Sequence, residues 1–309
     1  MLISKSVSRI FFILTAVVIL FFAGHAAAAE KSPQGEKSLQ EIYRRNSAKL
    51  EKNSFGLPLF LESFESDNSV NVDVYGIFNY PFSSVVSVLK VPRNWCDIVS
   101  LHPNVKACTY KEIPKFEQLT FYVGRKEYQP PEDTRPVIYN YRIADLQQGY
   151  LDIILTTDMG PFGTKNHKMR FEALRLDGGR TFVHVSYAYS DSAALRLAAK
   201  AYFATLARSK VGFTVTGTDP KGKPIYIGGP RGSIERNAVR YYYAIDAFMS
   251  SMSHPEHSRF SRRINDWYDM TSHYKKQLYD LNKEDYLSFK TKEQQNQLTL
   301  QQLASPVPQ

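Results

Sequence analysis

His184 stands between Val183 and Val185 in the alternating stretch TFVHVSYAYS, an imidazole set among apolar neighbours. A histidine so placed acts as a general base only where a cavity brings a substrate proton within hydrogen-bond reach; elsewhere it is a hydrogen-bonded structural group. Period-two alternation puts Phe182, His184, Ser186 and Ala188 on one face, and Val183, Val185, Tyr187 and Tyr189 on the other. In YLDIILTTD the same period places Asp152 and Asp158 on one face, with Ile154 and Thr156 between them. Facing a cavity, such carboxylates suit acid–base work; facing water, they are a solvated strand surface. Arg170 and Glu172 share a face of the next strand, MRFEALRL, and are spaced to pair across to the aspartates. The catalytic candidates are therefore His184, Asp152 and Asp158.

Other chemistries lack their patterns. There is no G-x-S-x-G for a serine nucleophile, and Gly228-Gly229-Pro230-Arg231-Gly232 before a helix is a weak anion-binding signal beside its plain use as a helix start. His254 and His257 sit at H-x-x-H spacing without carboxylate or cysteine partners nearby, so no metal and no cofactor is expected. The two cysteines, Cys96 and Cys108, are not at C-x-x-C spacing. In an oxidising compartment two cysteines without other partners pair, and closing this loop contributes ~3 kcal/mol in the chain-entropy model; the alternative is a catalytic thiol lowered by His102, which lies between the two.

That compartment is read from the first residues. Lys5 and Arg9 precede an apolar run from Ile10 to Phe22, and Ala27-Ala28-Ala29 precedes Glu30. This is the pattern of a secretory signal peptide cleaved near Ala29, with an apolar part too short for a comfortable membrane span. The expected product is a periplasmic protein of residues 30–309. Its 37 basic residues face 30 acidic ones, a surplus that outside the cytosol points to anionic surfaces or solubility rather than nucleic acid. Tyr and Phe are abundant, at 20 and 19, and tyrosine serves both cores and amphiphile pockets.

The elements that must position these groups follow from periodicity. SLQEIYRRNSAKLEK reads as a short amphipathic helix within a leader of residues 30–56. A hairpin, two short helices beginning at Pro81 and Pro92, and a run of antiparallel strands from Val105 to Tyr189 follow, with Asp177-Gly178-Gly179 as a tight turn. Ser190-Asp191-Ser192 offers N-cap chemistry for a helix over residues 192–208, whose inward face is alanine-rich. After a second hairpin, residues 230–309 are helical. Trp267, Tyr268, Tyr274 and Tyr279 interleave there with Arg262, Arg263, Lys275 and Lys276, a mixture that suits either packing on the domain or a membrane surface.

Strand, two short helices, several antiparallel strands, then one long helix is the order of the helix-grip fold. VDVYGIF, PFSSVVSVLK with PRNWCDIVSLH, the strands from Val105 to Tyr189 and the helix over 192–208 take these positions. In this respect the chain resembles the START-like (SRPBCC) superfamily over roughly Val70 to Lys210. The stretches GPFGTKNHKMRFEA and RGSIERNAVRYYYAIDAFM are also similar to exported bacterial proteins.

The resemblance implies an α+β fold in which a curved antiparallel sheet wraps a long helix over a cavity for a hydrophobic ligand. It spans residues 57–229, with an additional hairpin and a C-terminal helical extension. The ligand-binding candidates are His184, Ser186, Ala198, Ala199 and Tyr202, with Tyr187 or Tyr189 as polar anchors. The expected function is binding or carriage of a hydrophobic small molecule such as a lipid. The alternatives are a cyclase- or hydrolase-like enzyme using His184 with the strand carboxylates, and a non-catalytic envelope protein acting through its helical tail.

Overall fold

The computed structural model describes residues 35–304 except 54, 114, 115 and 206, and leaves aside the side chains of 116 and 162. The expected signal peptide lies outside the described residues. The chain opens with helix α1 (Glu36–Glu51), then the hairpin of β1 (Leu59–Glu65) and β2 (Ser69–Phe78). Two short helices follow, α2 (Phe82–Leu89) and α3 (Pro92–Val99), the second with proline in its first turn, where a missing N–H costs nothing. Six strands complete the sheet: β3 (Val105–Ile113), β4 (Phe116–Val123), β5 (Arg135–Leu146), β6 (Tyr150–Met159), β7 (Lys165–Arg175) and β8 (Thr181–Ser190).

All pairings are antiparallel, and the order across the sheet is β1-β2-β8-β7-β6-β5-β4-β3. The last strand returns beside β2, and the two short helices carry the chain from β2 to the far edge. With β1 added outside, this is the helix-grip arrangement. Gly178 and Gly179, both at positive φ, form the β7–β8 turn.

The helix held against the sheet is not the one the element order suggests. Residues 192–208 contain α4 (Ala193–Ala204), capped by the Ser192 side chain, and it buries none of its residues. After a small hairpin of β9 (Val215–Thr218) and β10 (Pro224–Tyr226), the central place is taken by α5 (Gly229–Ser251). Sixteen of its 23 residues are buried, among them Ile234, Val239, Tyr242, Ile245 and Phe248. α5 brings large side chains such as Ile234, Tyr242, Tyr243, Ile245 and Phe248 to the sheet, whereas AALRLAAKAYFA carries too little bulk to displace it. Gly76 of β2 allows the contact, since a Cβ there would collide with the Tyr242 ring.

The core therefore lies between α5 and one face of the sheet, where Val72, Val74, Leu119, Leu151, Ile153, Leu155, Phe171, Val183 and Val185 point. The opposite face carries a smaller cluster of Phe60, Tyr75, Tyr150 and Phe182 covered by Leu39 and Leu50 of α1. Cys96 of α3 and Cys108 of β3 form a disulfide, fixing the helix layer to the edge strand.

Three further helices close the molecule: α6 (Glu256–Ser272), α7 (Lys275–Leu278) and α8 (Lys283–Ala304). Their aromatic side is turned inward. The Trp267 indole donates to the Arg240 carbonyl at 3.0 Å and stacks on Tyr286, whose hydroxyl donates to the Leu101 carbonyl at 2.8 Å. Buried Lys290 and Lys106 share Glu293, and Lys290 also donates to the carbonyls of His102 and Val105.

Candidate functional site

Between α5 and strands β4, β5, β7 and β8 the sheet leaves a cavity of about 380 Å³. Phe121 and Val123 of β4, Tyr139 of β5, His167 of β7 and Tyr187 and Tyr189 of β8 line the sheet side. Ser233, Arg236, Asn237, Arg240 and Tyr241 line the helix side. Tyr202 and Phe203 of α4, with Ala207 and Lys210 just beyond it, close over the mouth. The alternation in TFVHVSYAYS accounts for the β8 contribution: Val183 and Val185 meet α5, and the same face continues outward as Tyr187 and Tyr189.

His167 is held on every side. Thr164 Oγ1 donates to the Pro161 carbonyl at 2.6 Å, so it accepts from His167 Nε2 at 2.7 Å. Nδ1 is thereby the acceptor, 3.0 Å from the Tyr187 hydroxyl and 3.3 Å from that of Tyr139. Burial pushes this imidazole down to about 4, so it is neutral at any ordinary pH and a weak base. A Cβ on Gly160 would collide with the ring, which is why the loop before β7 needs glycine there.

His102 is neutral too. Its Nδ1 accepts the Asn104 backbone N–H at 3.1 Å and its Nε2 lies 3.3 Å from Asn237 Oδ1, and burial beside Arg240 and Lys290 lowers it well below the usual imidazole range. Burial also raises the phenols of Tyr139, Tyr187 and Tyr241, which therefore stay protonated donors. The cavity thus combines aromatic surface with neutral hydrogen-bonding groups, and its charges lie at the α5 end.

That end is cationic. Asp280 accepts Arg240 Nη2 at 2.5 Å, Lys210 Nζ at 3.2 Å and Lys126 Nζ. Burial alone would raise the Asp280 carboxyl, but Arg240 and Lys126 hold it down to about 2. Burial lowers Lys126 to about 8 against the pull of Asp280.

The structure distributes the sequence candidates over both faces. Tyr202, Tyr187 and Tyr189 line the cavity, whereas Ala198 is exposed and Ala199 half-buried on α4, outside the lining. His184 and Ser186 lie on the other face of the sheet, because the face beneath the gripped helix is the valine face and not the one carrying Phe182 and His184. There His184 is fixed between Glu172 (Nδ1 to Oε2, 2.7 Å) and Asp73 (Nε2 to Oδ1, 2.8 Å), under the Tyr75 ring.

Burial disfavours its charge, yet the hydrogen bonds to Asp73 and Glu172 outweigh this and raise it to about 9. Asp152 is taken bidentately by Arg170 at 2.8 and 2.7 Å, the cross-strand pairing its parity suggests, and Tyr150 donates to Glu172. Asp158 is exposed. This second cluster is an ion network that ties β2, β6, β7 and β8 together. Among the described residues no group of three or more His, Cys, Asp or Glu is placed to hold a metal.

His167, His102, Tyr139, Arg236, Arg240 and Tyr241 escape sequence reasoning. His167 closes a stretch that reads as a loop, His102 falls in the loop between the cysteines, Tyr139 is on a strand, and Arg236, Arg240 and Tyr241 are on a helix that reads as part of a tail. The usable signal was the continuity of the valine face of β8 into two tyrosines.

No protein-family model and no curated protein sequence matches the chain. Among solved structures it is similar to the ZhuI aromatase/cyclase of a Streptomyces species, at 14% identity over 40% of this chain and 70% of that one, TM-score 0.29. It is also similar to human StAR-related lipid transfer protein 5, at 11% identity over 54% and 88%, TM-score 0.30. A third is norcoclaurine synthase from Thalictrum flavum, at 9% over 45% and 80%, TM-score 0.32. At such identities and scores these likenesses add nothing to what the strand order already shows. By that order and the placement of α5, the fold is the START-like helix grip.

Proposed function

We propose that this is an exported, periplasmic binding protein that holds a compact hydrophobic or amphiphilic small molecule, such as a single-chain lipid or an aromatic compound, between the sheet and α5. The cavity supports this reading. Its volume of about 380 Å³ falls in the lower part of the ~300–1,000 Å³ range of small-molecule pockets, and aromatic walls with a few convergent polar groups are the usual lining. Its histidines are neutral and hydrogen-bonded, which favours holding a ligand over moving protons. The enzyme alternative draws no support from the geometry, since His184 and Asp152 are locked in ion pairs on the far face.

Native mass spectrometry and organic extraction of the protein from its own periplasmic fraction test the proposal. A co-purifying small molecule is expected, together with its loss in Ala207→Trp, which fills the cavity from a buried lining position. An empty protein that also takes up nothing from liposomes would overturn it.

A further inference from the structure

Arg236 and Arg240 stand one turn apart on α5, both lining the cavity and both buried. A buried guanidinium is ordinarily paired, because a desolvated charge without a partner is strongly unfavourable. Arg240 has Asp280, but its Nε is buried with no hydrogen-bond partner among the described residues. Arg236 is more exposed to this difficulty: its Nη1 is buried without a partner, and it forms no ion pair among the described residues.

The neighbouring carboxylate cannot serve it. Glu235 Oε1 accepts the hydroxyls of Ser63 and Thr214 at 2.5 and 2.6 Å, and Oε2 accepts the backbone N–H groups of Phe213 and Thr214 at 2.5 and 3.0 Å. Asp280 is already shared by Arg240, Lys126 and Lys210. Four cations thus gather at this end of the cavity around one carboxylate.

We propose that the ligand carries an anionic head, a carboxylate or a phosphate, whose oxygens accept from the guanidinium groups of Arg236 and Arg240 while its apolar body lies against Phe121, Tyr139 and Tyr187. The proposal rests on the cavity being a ligand site. It turns the two orphaned donors and the surplus positive charge into one recognition element, since oxyanions are what guanidinium donors match best. Burial beside Arg240 lowers Arg236 to about 10.

The test uses the mature chain freed of co-purified ligand, titrated calorimetrically with dodecanoate, dodecyl phosphate and dodecanol. One or both anions are expected to bind roughly tenfold or more tightly than the alcohol, as a charge-assisted hydrogen bond implies. Which anion binds more tightly tells carboxylate from phosphate. In Arg236→Met the anion preference is expected to shrink by most of its value, Arg240 keeping the remainder, with alcohol binding kept and the empty protein melting no lower than the native one. Arg236→Lys should keep part of the preference. Equal binding of anions and alcohol by the native chain would overturn the anionic head alone, leaving the cavity reading in place. No binding of any of the three would overturn the anionic single-chain ligand, and the cavity reading with it if the protein also comes empty from its own periplasmic fraction. A Met variant that melts lower yet keeps its anion preference would make Arg236 structural and likewise overturn the assignment.

Discussion

At the scale of single residues, the far face of the sheet carries the clearest electrostatic consequence. His184 is cationic between Asp73 and Glu172, and its folded value of about 9 lies above the unfolded value of about 6.5. The stabilisation it supplies is therefore complete below about pH 6.5 and is lost as pH rises through about 9, with a magnitude on the order of 3 kcal/mol. Lys106 and Lys126, both lowered to about 8, titrate in the same window with the opposite sign. The expected result is thus a difference: denaturant unfolding of the native chain should lose more stability between pH 6 and 9.5 than that of His184→Gln, and parallel curves would refute the charged histidine. At neutral pH, His184→Ala should cost about 3–5 kcal/mol, because it strands two buried carboxylates.

This network was half legible. Parity put His184, Glu172, Arg170 and Asp152 on common faces, and register made their pairing natural. What parity cannot state is which face meets the helix, and that one binary choice sends His184 toward a cavity and leaves His167 unnoticed.

Among the elements, the exchange of α4 for α5 shows why the grip was misread. Local order favours the helix that directly follows the last strand, and α4 does follow it, with the Ser192 cap in place. Its face of small residues leaves it as a cover, while IERNAVRYYYAIDAFMSSM reads as one more amphipathic helix of the tail, and nothing in its pattern says that the sheet is what it packs on. The Gln-rich end of α8 was equally opaque, since its partners are backbone groups. Gln297 Oε1 accepts the Cys108 N–H at 2.8 Å, and Gln301 accepts from the Tyr110 N–H at 2.8 Å and donates to its carbonyl at 3.1 Å.

One turn apart, these amides occupy the free edge of β3 much as another strand would. An unpaired edge is a template for association between chains. The double variant Gln297→Ala, Gln301→Ala is expected to lose about 2–3 kcal/mol and to self-associate with rising concentration in size-exclusion chromatography with light scattering. A variant that stays monomeric with unchanged stability would show the edge to be guarded by something else.

For the molecule as a whole, the cavity joins segments scattered from His102 to Tyr241, with Asp280 behind them. Such long-range closure is the feature least visible in a linear pattern, which is why the layer order was legible and the lining was not. The position of α5 also sets a timetable. A chain made from its N-terminus completes all eight strands before residue 229 exists, so the apolar face of Val72, Leu119, Ile153 and Phe171 is finished while its cover is still unmade. A fragment of residues 30–228 should accordingly bind hydrophobic dyes and aggregate, whereas the chain extended to residue 304 should not. Birth order thus leaves the nascent protein with a sticky, uncovered half-shell, and protecting it until α5 arrives falls to whatever escorts the growing chain.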